Sequence, residues 1–420
     1  MVRWNPLSVA LIRRDSGNFC YSHGPIRIVH SMENNVKVAC LQDQLQHALA
    51  LVSRAVATKT ALPVLANVLL VAEDDRLEIS ATNLEIGIST SISAQVEQPG
   101  KLTVDARLLG EFVSTLPADT VHMTVERDRS MLSVQCGRDH ATINGISAEE
   151  FPVNPTAANA SFALDVDPQL LREMIAQVEF AAATDDSRPV LAGVLLRFEE
   201  TTITLAAADG FRLAVRHGQL EASAGDRTSL ITPGRAMREL ARIIGDTSDP
   251  VHLVVTANGG QLIVRIGPSG EPGGTEFHSR LIDGTFPDYK QIIPKEFGTK
   301  VEMGRDALLN AVRRASYFAR DANDAIKFEI KPDTESGEPG LVEITARAAE
   351  RGDSESFVDA TIEGPQMQIA FNSRYLVDVL GVIRQGRVAL GLNGANQAGV
   401  VRAVGSDDYT HVIMPMVIGS

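Results

Sequence analysis

Cysteine is scarce in this 420-residue chain. Cys20, Cys40 and Cys136 are odd in number and show no CxxC spacing, which speaks against a disulfide framework or a thiolate zinc site and fits a reducing compartment. No run of 18 apolar residues is present, so nothing in the sequence reads as a membrane-spanning helix. Signatures of catalysis are missing too: there is no GxxxxGK[ST], no HExxH, no GxSxG and no GxGxxG after a strand. The nine histidines are scattered, and the glycine run GPSGEPGG at 267–274 lacks the lysine and following helix of a phosphate cradle, so it reads as a turn. Positive charge is also in deficit, the formal net charge being −14, which at first argues against a polyanionic partner.

What is present is a globular composition, 44 % apolar and 22 % charged, with length enough for two to four domains. Residues 1–31 stand apart. Their one apolar run, Leu7 to Ile12, is cut by Arg13 and Arg14 and is too short for a signal-peptide core. They are expected to be a disordered extension or an upstream reading of the start, with Met32 opening the patterned region.

A repeat organises the rest. LPVLANVLL at 62–70 returns as RPVLAGVLL at 188–196, and seven of the eight positions from the proline onward agree. Around the first phrase, read as a strand, Leu41, Leu45, Ala48, Leu49, Val52 and Val56 form a helical stripe, and a second helix begins after Asp105 and carries Leu108, Leu109, Phe112, Val113 and Leu116. The second copy follows the same order, with Asp167 as cap and Pro168 at the first helical position, then a later helix from Thr232-Pro233. VHLVVTA-NGG-QLIVRIG reads as a hairpin. A more diverged third copy has helices at RDALLNAVRRASYFAR and NSRYLVDVLGVIRQG. The fold expected is therefore α+β, with three similar domains at 32–158, 159–298 and 299–420, each with two helices packed on antiparallel sheets.

Charge is segregated across these units. The six helix windows together carry +5, leaving −19 for strands and loops. Arg235, Arg238 and Arg242 share one helical face. A surface positive on one side and negative elsewhere suits a protein that holds a polyanion in a hole and repels it outside.

The phrases LPVLANVLL, ATNLEIG, AADGFRLAV, LIDGTFPDYKQIIP, FNSRYLVDVL and VIMPM, spread over residues 36–418, resemble the bacterial DNA polymerase III beta subunit, the replication sliding clamp. The resemblance implies three domains in an arc, two subunits closing head to tail into a ring, strands outside and helices lining a hole threaded by duplex DNA. It implies a cytoplasmic, non-enzymatic processivity factor without cofactor or metal. Near DNA it implies Arg235, Arg238 and Arg242, with Lys59 and Arg188 as further cations. At the subunit contact it implies Tyr317 and Phe318 against the partner's first domain, where Ile143 lies. Between the second and third domains it implies a groove for short peptide motifs of the replicative polymerase, the clamp loader, repair polymerases and mismatch-repair proteins. Its positions here are Leu191, Gly210, Arg212, Leu213, Pro287, Ile292, Asn372, Tyr375, Met414, Pro415 and Met416.

Three departures from the family stand out: Ala141 where an aromatic is common, Phe211 where histidine is frequent, and Val-Ile-Gly-Ser after Met416. Two other readings remain open on the sequence, a metal-dependent nucleic-acid enzyme using Asp185, Asp186 and Asp209, and a peptide-binding adaptor without DNA.

Overall fold

The computed structural model describes residues 36–125, 130–155, 160–185, 187–225, 228–268, 271–320, 323–333, 340–348 and 352–417. The expected extension 1–31 lies outside the described residues.

Three repeats share one element order. The first runs β1 (Lys37–Leu41), α1 (Gln42–Val52), β2 (Asn67–Glu73), β3 (Arg76–Thr82), β4 (Ile86–Ser93), β5 (Gln95–Gln98), β6 (Gly100–Asp105), α2 (Ala106–Ser114), β7 (Thr120–Val125), β8 (Met131–Cys136) and β9 (Asp139–Ile146). The second runs β10 (Phe162–Val166), α3 (Pro168–Val178), β11 (Gly193–Glu199), β12 (Thr202–Ala208), β13 (Arg212–Gln219), β14 (Thr228–Pro233), α4 (Gly234–Ile244), β15 (Val251–Val255), β16 (Gln261–Ile266) and β17 (Thr275–Arg280). The third runs β18 (Thr299–Gly304), α5 (Arg305–Ala319), β19 (Ala325–Lys331), β20 (Leu341–Ala348), β21 (Gly352–Glu363), β22 (Met367–Asn372), α6 (Ser373–Val382), β23 (Arg387–Leu392), β24 (Gly399–Ala403) and β25 (Tyr409–Ile413). Only the short β5 breaks the correspondence.

The helices start where their caps place them. Asp105 Oδ1 accepts from Leu108 N and Asp167 Oδ1 from Leu170 N, each at 2.7 Å, satisfying amides that the first turn leaves free. Their inward stripes, Leu45, Leu49 and Val52 on α1 or Met237, Leu240 and Ile244 on α4, join the main core. The repeated phrase is not all strand, as its apolar run led one to expect. Pro63–Ala66 forms a 3-10 turn and only Asn67 onward pairs, because Pro63 has a fixed φ and no amide to give a ladder.

Consecutive repeats are joined by strand pairing. β4 pairs antiparallel with β17, setting Ile86 opposite Ser279 and Thr90 opposite Thr275. At the same place in the next repeat β13 pairs with β25, setting Arg212 opposite Ile413 and Arg216 opposite Tyr409. The approach turns match atom for atom. Asn83 Oδ1 accepts from the amides of Glu85 and Ile86 (3.0 and 2.9 Å), and Asp209 Oδ1 from those of Phe211 and Arg212 (2.9 and 3.0 Å). Each turn then receives one more bond across the junction, Arg280 N to Glu85 O (2.9 Å) and Met414 N to Phe211 O (2.8 Å). The glycine run adds a clasp at the first junction: Ser91 N donates to Gly274 O and Gly273 N to Ser91 O. Gly274 can have no side chain, since a Cβ there would fall 1.9 Å from the carbonyl oxygen of Pro268.

The helices meet across junctions as well. Arg54, just past α1, pairs with Glu239 of α4 (3.3 Å), while Arg384, just past α6, pairs with Glu173 of α3 (3.3 Å). All six helices contribute buried side chains to one core cluster. No helix among the described residues is long and apolar enough to cross a membrane.

Candidate functional site

The second junction gathers most of the expected groove residues. Asp209 organises it, holding Arg212 Nε on its second carboxylate oxygen (3.0 Å) while its first caps the turn. Gly210 sits at φ +94°, where a side chain is strained, and Arg188 fills the space a Cβ would need, its Nη2 donating to Asp209 O (3.0 Å). The structure thus brings Arg188 to this turn, beside the groove residues and not among the helix-face arginines with which it was grouped.

Arg212 is the hub. Its side chain is 10 % exposed. Nη1 donates to Asp378 of the third repeat (2.7 Å) and Nη2 to the carbonyl of Phe180 (2.5 Å). Its guanidinium carbon lies 4.3 Å from the ring centre of Tyr375 and 5.4 Å from that of Phe180. Tyr375 is aimed by the helix cap, Asn372 Oδ1 accepting from the amides of Arg374 and Tyr375 (2.9 and 3.4 Å).

A second core lies on the opposite face of the sheet from the helices, built from Leu195, Leu213, Val215, Ile231, Phe286, Tyr289, Val400 and Val412. Phe286 and Tyr289 plug into it and leave Pro287 between them exposed. Ile292, Met414 and Phe211 are large apolar residues left exposed at this end of the molecule, and Pro415 and Met416 are half-buried, Met416 N donating to Ala370 O (2.8 Å). Exposed apolar surface of this kind marks an interaction site. Leu191 is half-buried, tied through its amide to Arg188 O and through its carbonyl to Ala183 N. Leu213 is 2 % exposed, so it shapes the floor from beneath; truncating it would cost about 2–5 kcal/mol of stability, as for other buried leucines.

The cations divide. Arg235, Arg238 and Arg242 are all exposed on α4. Arg238 is forked onto Glu179 Oε2 (3.0 and 2.7 Å), which raises its pKa, and Arg242 shares Glu239 (2.6 Å) with Arg54. Arg235 has no carboxylate partner among the described residues. The face is therefore less positive than the arginine spacing alone implied. Lys59 is exposed in the loop ahead of the Pro63 turn.

Tyr317 is exposed and Phe318 half-buried on α5. The side chain of Ile143 is 3 % exposed, opposite Leu132, because alternation along β9 turns it inward, so its backbone and not its side chain lies at the strand's edge. What β9 offers is its edge. Asp139 to Asn144 pair with β8 on one side only, since β6 reaches just Gly145 and Ile146. Ala141 is half-buried on the same inward face.

Of the three aspartates considered for a metal, Asp186 lies outside the described residues. Asp185 is engaged by the amide and hydroxyl of Ser187, which lower its pKa, and Asp209 by Arg212 and its own turn. Sequence reasoning missed Asp378, Phe180 and Arg54. Asp378 stands three residues after Tyr375, a legible helical neighbour; the other two carried no local signal.

Comparison with known proteins agrees across the chain. Residues 36–155 match the DNA polymerase III beta subunit N-terminal domain, 165–288 its central domain and 290–417 its C-terminal domain. The beta sliding clamp of Synechococcus elongatus is 33 % identical over 388 residues, covering 92 % of this chain and all of that protein. The Bacillus subtilis sliding clamp structure superposes with a TM-score of 0.84 at 27 % identity, covering 92 % of this chain and 100 % of that one. A Pseudomonas aeruginosa sliding clamp solved with griselimycin bound gives 0.82 at 30 % identity, with the same coverage.

Proposed function

Since the chain belongs to the DNA polymerase III beta subunit family, the sliding clamps, we propose that two copies close head to tail around duplex DNA and tether the replicative polymerase through the groove at the second junction. The observation that carries this reading is the pairing rule of the junctions. The strand equivalent to β4 and β13 in the third repeat is β21, and the strand equivalent to β17 and β25 in the first is β9. Both keep an open half. A second copy supplies the missing partner for each, and two such contacts close a ring without free edges there.

In such a ring the helical layer faces the duplex. Arg235, Arg238 and Arg242, with Lys59, supply cations, and the glutamates that share two of them keep the attraction weak. Weak phosphate contacts favour sliding, because each tight one would have to be broken at every step. Retention comes from topology, and the protein itself performs no chemistry. We expect it to work in the cytoplasm. After loading, residence on closed circular DNA should greatly exceed that on linear DNA; equal residence on both would remove the encirclement reading.

The groove, built from Leu191, Gly210, Arg212, Leu213, Pro287, Ile292, Asn372, Tyr375, Met414, Pro415 and Met416, is the seat for partner peptides, with Arg188 at its rim. Those partners include the polymerase, the clamp loader, repair polymerases and mismatch-repair proteins. Exposed apolar anchors fitted to an extended peptide, with adaptable methionine among them, suit differing sequences. Met414→Ala should weaken a polymerase-derived peptide by about 1–3 kcal/mol in a fluorescence anisotropy titration. An unchanged affinity would place the peptide elsewhere.

A further inference from the structure

The open half of β21 carries an apolar side chain that its own subunit leaves more than half exposed. Among the described residues Gly352 to Asp359 pair with β20 only, whereas Ala360 to Glu363 pair with β18 instead. Along this half Ser356 and Val358 turn inward, Ser356 Oγ accepting from Arg314 Nε of α5 (3.3 Å). Phe357 turns the other way and is 54 % exposed, between the exposed acids Glu355 and Asp359. A phenyl ring so exposed beside an unpaired strand edge is a liability for aggregation unless something covers it.

The two junctions within the chain indicate what covers it. On β4 the outward position Gly87 lies under the ring of His278 from β17, so close that a Cβ would overlap it. On β13 the outward Leu213 stands beside Val412 of β25 in the second core and is buried. In both cases a side chain of the next repeat's last strand covers the outward face of the junction strand. Phe357 is the third member of this set, and the only strand of that kind left to cover it is β9.

We propose that Phe357 is the outer-face anchor of the junction between subunits, packed against β9 of a second copy of this chain; the proposal rests on the head-to-tail reading above. His140 and Thr142, outward on β9's open half, are exposed and available to such a ring. The inward face there presents only the small Ala141 beside Ile143. The ring of Phe357 thus adds apolar contact on the outer side of the junction to what Tyr317 of α5 offers on the helix side.

Subunit dissociation on dilution, followed by sedimentation or single-particle mass measurement, tests this. Phe357→Ala should weaken self-association by about tenfold or more, as expected for an aromatic anchor, while Phe357→Leu stays near the parent and both keep the parent's circular dichroism. In Phe357→Trp, the added emission should be blue-shifted in the assembled protein and move to the red as subunits separate. A parent dimer undisturbed by Phe357→Ala, or an added emission indifferent to dilution, overturns the anchor alone. A parent chain that stays monomeric at every concentration overturns the ring and the anchor together.

Discussion

Arg212→Ala is expected to destabilise the second junction by about 3–5 kcal/mol, the range for removing one member of a buried ion pair, and to abolish peptide binding at ordinary concentrations. The guanidinium serves two carboxylates and a backbone carbonyl from three segments and packs against two aromatic rings. Its loss leaves Asp209 with an uncompensated charge in a largely buried site and frees Tyr375 to change rotamer. Arg212→Lys should rescue little, because an ammonium is a point charge that cannot make the same planar set of bonds. Asp378→Asn should cost less, roughly 0–1 kcal/mol, since that carboxylate is partly exposed and screened. Urea unfolding and peptide titration on the same samples check the ordering. Parent-like stability in Arg212→Ala would show that packing, and not this hub, joins the repeats.

The second large effect is on acid stability. His278 in β17 and His411 in β25 lie on the junction strands and are buried. Burial pushes His278 down to about 4 and His411 down to about 3, with the nearby Arg212 adding to the latter. His411 Nε2 has no hydrogen-bond partner, and its Nδ1 faces the buried Tyr409 hydroxyl at 3.4 Å. Both rings are neutral when folded, and both take up a proton near pH 6.5 when unfolded. Stability is therefore full above about pH 6.5 and declines as pH falls toward the folded values, by roughly 1.4 kcal/mol per unit for each histidine. By pH 4 the sum is roughly 6 kcal/mol, comparable with the whole stability of an ordinary domain. His411→Gln should flatten the pH dependence of unfolding by about half. A slope identical to the parent's would assign acid sensitivity to other groups.

Local features were legible in the sequence. Helix starts at Asp105 and Asp167 followed from cap chemistry, the apolar stripes marked the buried faces except at Leu41 and Leu108, which are exposed, and the repeated phrase marked the repeat. What escaped was whatever depends on partners far along the chain. The glutamate that holds Arg238 is 59 residues away, and the pairing of β13 with β25 spans the third repeat, so neither leaves a periodic trace. The sequence placed Ile143 at the subunit contact but did not tell that its side chain turns inward on β9 and leaves only backbone at the edge. The expected groove residues were named through the family phrases; that Arg212 is mostly spent inside the protein became visible only with its three bonded segments in place.

The glycine-rich turn at 267–274 bears on how this protein can be handled. By composition and position it looks like a safe site for inserting a fluorophore tag or a purification handle. Yet its last two residues are stitched to Ser91 of the preceding repeat, so cargo placed there would pull on the first seam of the molecule. A label meant to leave the assembly undisturbed belongs elsewhere, and a tag forced into this turn would serve better as a deliberate wedge.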